Sequence, residues 1–180
     1  MQKLPIGIQS FADLRSNHYL YVDKTRELRR LIESGKIYFL SRPRRFGKSL
    51  LVSTMEAVFK GEKELFEGLY IYDQWDWSQQ YPVVRLDFGG LSYASGEELK
   101  WSLTDFVEGV ARTCQLSLVK KALPDKFMEL IALLHQSTGQ KVVVLIDEYD
   151  KPITDHLSSP ETAEANRQIL RSFYQVLKAA

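Results

Sequence analysis

The sequence predicts an α/β protein in which helices wrap a parallel sheet, and three observations carry that expectation. β-rich apolar runs alternate with helical patterns along the 180 residues, the order that builds a parallel sheet with helices on its faces. Two of those runs are apolar without alternation, as strands covered on both sides should be. One run leads into a Gly-Lys-Ser turn and another ends in two adjacent acids, and the C-terminal strand edge is where open parallel sheets hold their ligands.

In chain order, residues 25–34 read as an N-terminal helix. "IYFL" (Ile37 to Leu40) is the first expected strand, and Leu51, Val52, Met55, Val58 and Phe59 then repeat at helical spacing. "DQWDWSQQYP" (Asp73 to Pro82) fits neither period and reads as a loop that Trp75 and Trp77 pin to the core. "VVRLDF" (Val83 to Phe88) is the second expected strand. A Ser95-x-x-Glu98 capping signal opens a helix carrying Leu99, Leu103, Phe106, Val107 and Val110. Another helix follows Pro124, carries Phe127, Leu130, Ile131 and Leu134, and should stop before Gly139. "VVVLI" (Val142 to Ile146) is the third expected strand. The last helix opens at "SSPE", with Pro160 in its first turn.

Composition narrows the function classes. Hydrophobic residues at 44% and charged residues at 26% are those of an ordinary globular domain. A net charge of +1 leaves any nucleic-acid binding to a local patch. Cys114, the single cysteine, excludes an internal disulfide and shares a helical face with Phe106, Val107 and Val110, which predicts a buried thiol. No export signal or membrane-spanning run is apparent, so the expectation is a cytoplasmic protein without a membrane partner.

Chemistry concentrates in two places. In "SRPRRFGKSLL" (Ser41 to Leu51), the first expected strand feeds a loop that ends in Gly47, Lys48 and Ser49 and runs straight into a helix. A phosphate loop needs these parts: backbone amides at a helix start, a lysine for the β- and γ-phosphates, and a hydroxyl for Mg²⁺. Only the first glycine of G-x-x-x-x-G-K-[ST] is missing, replaced by Arg42 beside Pro43. In "VVVLIDEYD" the strand ends in Asp147 and Glu148, which are expected to emerge together at its tip because a buried strand does not hold two carboxylates. There an aspartate can hold Mg²⁺ and a glutamate can activate the attacking water. The candidate site residues are Arg42, Arg44, Arg45, Phe46, Gly47, Lys48, Ser49 and Leu50 for the nucleotide, Ser49 and Asp147 for the metal, and Glu148 with Lys48 for catalysis. Taken alone, the acid pair reads equally as a solvated turn or helix cap ahead of Pro152.

Several stretches in order, "LPIGIQSFADLRSNHYLYVDKT", "YFLSRPRRFGKSLL", "LFEGLYIYDQWDW", "YPVVRLDF" and "VVVLIDEYDKP", resemble the bacterial AAA-ATPase-like family over essentially the whole chain. The resemblance implies a P-loop NTPase-like three-layer α/β/α fold, ATP and Mg²⁺ as cofactors, and an R-P-R-R-F-G-K-S loop as the family's own form. Members commonly carry a nuclease-like domain of the PD-(D/E)-x-K type at the C-terminus, so that domain, and nucleic acid through it, are the implied partners. The class resembled places a fourth strand with a polar sensor residue between the loop strand and the acid strand. Only three strands are expected here, so residues 1–180 read as an N-terminal fragment lacking the sensor strand, the lid and the nuclease-like domain.

Three roles stay open for Arg42, Arg44 and Arg45: contact with nucleotide phosphates, pairing with acids on neighbouring loops, or contact with a nucleic-acid backbone. Asp87 reads either as a residue near the metal or as a strand-end cap, and Tyr21, Asp23 and Lys24 either as base contacts or as packing. The functional expectation is Mg²⁺-dependent ATP hydrolysis coupled to a C-terminal effector. The alternative is a nucleotide-binding switch or scaffold without hydrolysis.

Overall fold

A computed structural model describes residues 2–43 and 45–179. The chain divides into two compact units, residues 1–83 and 84–180.

The first unit is helical, with α1 (Phe11–Ser16), α2 (Thr25–Ser34), α3 (Lys48–Phe59) and two 3₁₀ turns, Lys63–Phe66 and Tyr70–Asp73. α1 was not evident from periodicity, being less than two turns long. Its local start signal is Ser10, whose hydroxyl accepts the Asp13 amide at 3.2 Å. Phe11, Leu28, Ala57, Val58, Phe66 and Ile71 form the core, and α3 contributes its buried face, Ser53 to Phe59 without Met55 and Glu56. The Phe11 amide donates to Ser53 Oγ at 2.9 Å, so the start of α1 is satisfied by α3 in a buried setting. Trp75 and Trp77 do pin a loop to this core: Trp75 meets Phe59 edge-on, Trp77 leans on Phe66, and its indole donates to Tyr72 O at 2.7 Å. Tyr21 likewise packs edge-on against Phe11.

The start of α2 is tied to the second 3₁₀ turn through two side chains. Asp23 accepts from the amide and hydroxyl of Thr25 at 2.8 and 2.7 Å and from the Tyr70 amide at 2.7 Å. Thr25, fully buried, also accepts from the Ile71 amide at 3.1 Å. Desolvation pushes the Asp23 carboxyl upward, but the hydrogen bonds from Tyr70 and Thr25 outweigh it and hold the group below the usual carboxylate value.

The second unit contains the sheet. β1 (Val83–Asp87) and β2 (Val143–Asp147) lie side by side as a parallel pair, and among the described residues they are the whole sheet. α4 (Gly96–Thr113), α5 (Leu123–Thr138) and α7 (Pro160–Ala179) pack on one another, and a short α6 (Lys151–Thr154) follows β2. Their shared core runs from Val84 and Leu86 through Leu99, Leu103 and Val107 to Leu130 and Leu170, with Phe127 and Phe173 stacked at 4.4 Å. The expected caps are present. Ser95 accepts the Glu98 amide, Pro124 lies in the first turn of α5, and Gly139 ends that helix at φ +66°. Gly96 lets α4 approach α7 closely, since a Cβ there would sit 3.2 Å from Ile169 Cδ1 and 3.3 Å from Ala165 Cβ.

Two expectations are corrected. Ile37–Leu40 is not a strand: the run lies exposed, and the parallel pair is formed by the other two segments. Apolar β-branched and aromatic residues suit a pleated, half-buried surface, and composition alone does not supply one. Cys114 is exposed, because α4 stops at Thr113 and Cys114 is its C-cap, turned off the face that the spacing extrapolates.

Two stability effects are expected. Asp23→Asn keeps one oxygen for Thr25 but loses the acceptor for the Tyr70 amide, and should destabilise the protein at neutral pH by about 1 kcal/mol, the net worth of one hydrogen bond. Because the folded carboxyl is held low, that contribution is present above the ordinary carboxylate value near ~4 and fades as pH falls through the folded value. Wild type and variant should therefore converge in acid, as read by thermal melts at pH 7 and near pH 3. Phe173→Ala, which empties a fully buried stacked site, should cost about 3–5 kcal/mol in chemical denaturation.

Candidate functional site

The two halves of the predicted site lie in different units. In the first unit, Arg42 and Arg45 are exposed, Phe46 is 65% exposed, and Lys48, Ser49 and Leu50 are half-buried in the opening turn of α3. Arg44 lies outside the described residues. Gly47 is the N-cap of α3 at φ +72°, ψ +24°, in the left-handed region that glycine adopts without steric penalty. Arg45 shares that region at φ +69°, where a side chain costs about 1–2 kcal/mol. The first intrahelical bond runs from the Leu51 amide to Gly47 O at 2.9 Å. The amides of Lys48, Ser49 and Leu50 therefore sit in the turn where a helix has no acceptor of its own.

Lys48 folds back over the loop. Its ammonium donates to Arg42 O at 2.6 Å and reaches Pro43 O at 3.5 Å. The lysine thus ties the start of the loop back to α3, whose N-terminal end offers partial positive charge. Leu50, from the same turn, packs against the core of this unit and anchors the junction.

In the second unit, Asp147 ends β2 yet remains only 4% exposed, while Glu148 is exposed. The expectation that both acids emerge at the tip holds for Glu148 alone. Asp147 stays inside because its Oδ1 accepts the Glu148 amide at 3.0 Å, and a hydrogen-bonded carboxylate tolerates burial far better than a bare one. That bond accompanies a backbone reversal: Glu148 stands at φ +54°, and the Lys151 amide donates to Glu148 O at 3.0 Å. Asp87, at the end of β1, accepts the Gly89 amide at 2.8 Å and is a strand-end cap.

Sequence reading missed the residues that hold the turn after the acids. Asn166 in α7 donates to Pro152 O at 2.8 Å, and the Tyr174 hydroxyl reaches Tyr149 O at 3.4 Å. Burial pushes the Tyr174 phenol well above its ordinary value, with Asp150 and Tyr149 adding to the effect, so it stays a neutral donor. A polar residue at a core position of a helix was the one available signal.

Oxygen donors are what Mg²⁺ takes, usually from one or two carboxylates with water and phosphate completing its shell. The Asp147 carboxylate and the Ser49 hydroxyl suit that chemistry. Among the described residues no group of three or more His, Cys, Asp or Glu gathers as a metal cluster, and no helix is long and apolar enough to cross a membrane.

A family model described as a predicted AAA-ATPase matches residues 5–180. An uncharacterized protein in the vnfD 5′ region of Azotobacter chroococcum mcd 1 is 45% identical over 178 residues, covering 98% of this chain and 34% of its own. The chain therefore spans about a third of that relative's length. No solved structure matches. With nearly its whole length matched, the chain belongs to the AAA-ATPase-like family.

Proposed function

We propose that this chain supplies the nucleotide-binding part of a Mg²⁺-dependent ATPase. The observation that carries the reading is Lys48, whose ammonium is folded over the carbonyls of a loop that enters α3 through a left-handed Gly47. A γ-phosphate offers that ammonium a stronger, charge-assisted partner than a neutral carbonyl. Lys48 would leave Arg42 O for the β- and γ-phosphates, while the amides of the first turn of α3 bind the same anion. Ser49 and Asp147 would hold Mg²⁺, which when bound neutralises charge building on the phosphoryl oxygens. Glu148, exposed beside the buried Asp147, would orient the attacking water and take its proton. Arg42 and Arg45 are exposed on the same loop, available to phosphate in this reading. The activity is proposed to drive a C-terminal effector, nuclease-like and acting on nucleic acid. A relative about three times as long as this chain leaves room for one.

In the full-length protein, Lys48→Ala should weaken ATP binding about tenfold or more, as removal of a charge-assisted contact would. Glu148→Gln should retain binding and lose at least ~100-fold in phosphate release. Binding without turnover in the wild type would mark a nucleotide-binding switch instead, and unchanged ATP affinity in Lys48→Ala would overturn the nucleotide reading altogether. Gly47→Ala meets no neighbour within 4 Å, so its penalty is backbone strain alone. It should lower stability by about 1 kcal/mol in nucleotide-free melts.

A further inference from the structure

We infer that α7 is the positioning element for the acid pair, acting through Asn166 and Tyr174. The inference rests on the reading of Glu148 as the water-activating acid. Asn166 is fully buried, and its amide spends both hydrogens on backbone carbonyls, Pro152 O at 2.8 Å and Tyr93 O at 3.1 Å. Its Oδ1 is buried with no hydrogen-bond partner. An unsatisfied buried acceptor costs about 1–3 kcal/mol, so a position that only needed filling would favour an apolar side chain. What Asn166 provides instead is a two-pronged donor fixed in the second turn of a 20-residue helix.

The segment it grips is the one that leaves the acids. Pro152 stands five residues beyond Asp147, in the first turn of α6. Tyr93 O also receives His156 Nε2 at 2.9 Å, and since a carbonyl only accepts, His156 carries its proton on that nitrogen. The Tyr93 phenol donates to Asp155 Oδ2 at 2.8 Å, with the Lys151 ammonium 3.4 Å from the same oxygen. The return from the turn is thereby tied at Pro152, Asp155 and His156. Two turns further along α7, the Tyr174 hydroxyl reaches Tyr149 O, directly after Glu148.

Glu148 needs such support. Its left-handed φ of +54° costs a side chain of this kind about 1–2 kcal/mol, and a strained residue persists only where its surroundings over-determine it. α7 contacts the backbone just after Glu148 and again at the start of α6. Loosening either contact lets the glutamate relax away from the position that its neighbour Asp147, fixed at the end of β2, would otherwise impose.

The test uses the full-length protein with Asn166→Leu, which keeps the branched shape of the side chain, though bulkier, and removes both donors, and Tyr174→Phe, which removes one hydroxyl. Deuterium uptake in peptides covering residues 147–156 should rise in both variants, while peptides from α5 stay unchanged. Steady-state kcat for ATP should fall about tenfold, the size expected when a catalytic group shifts by a fraction of an ångström. KM should stay within about twofold, because substrate binding is not what α7 controls. Unchanged uptake in both variants overturns the inference, as does a loosened turn with wild-type kcat. If Asn166→Leu does not fold, Tyr174→Phe decides alone. A wild type without turnover defeats the hydrolysis reading separately, and the uptake comparison then decides whether α7 holds the turn.

Discussion

Asp147 is a carboxylate at the last position of a buried strand, and a carboxylate taken out of water costs several kcal/mol unless it is hydrogen-bonded or paired. The nearest donor is the amide of the very next residue, and bonding to it accompanies an immediate reversal of the chain at Glu148. The path of the chain after β2 starts from that reversal. α6 begins within four residues, Pro152 is buried, and α7 returns across the turn with Asn166 and Tyr174 facing its carbonyls. The same event separates the two acids into one buried and one exposed group. Such a division suits one group to holding a cation and the other to handling a water.

α3 does the corresponding work in the first unit. Its buried face is the centre of that core, its Ser53 satisfies the start of α1, and its N-terminus is the Gly47–Ser49 junction. A loop on such a helix is positioned by packing several residues away, which is how an exposed stretch with two left-handed residues keeps a defined lysine contact. The Asp23–Thr25 knot adds a second tie, joining α2 to a 3₁₀ turn more than 40 residues further along.

Much of this was legible in the chain. Helix starts and stops were readable wherever a local signal set them: Ser95 with Glu98, Pro124, Gly139, Pro160. Two of the three expected strands formed, displaced by at most one residue at either end. The glycine-lysine-serine junction lies at a helix start as its pattern implies. The failures share a cause. Ile37–Leu40 has strand composition, but a strand exists only through a neighbour, which no local pattern contains. Cys114 continues an apolar stripe by spacing, but the helix ends one residue before it.

The sequence by itself determined the family, through motifs spread along the chain, and the four long helices with their caps and the identity of the chemical groups, because a cap or a turn motif depends on residues within a few positions of one another. Only the tertiary structure decided which acid is buried, which carbonyls Lys48 occupies and what holds Glu148 in a strained conformation. Those outcomes depend on desolvation and on hydrogen-bond partners as distant as the Asn166 amide and the Tyr93 carbonyl it donates to, 73 positions apart. Burial and partnership of that kind are properties of the packed chain, and no local stretch encodes them alone.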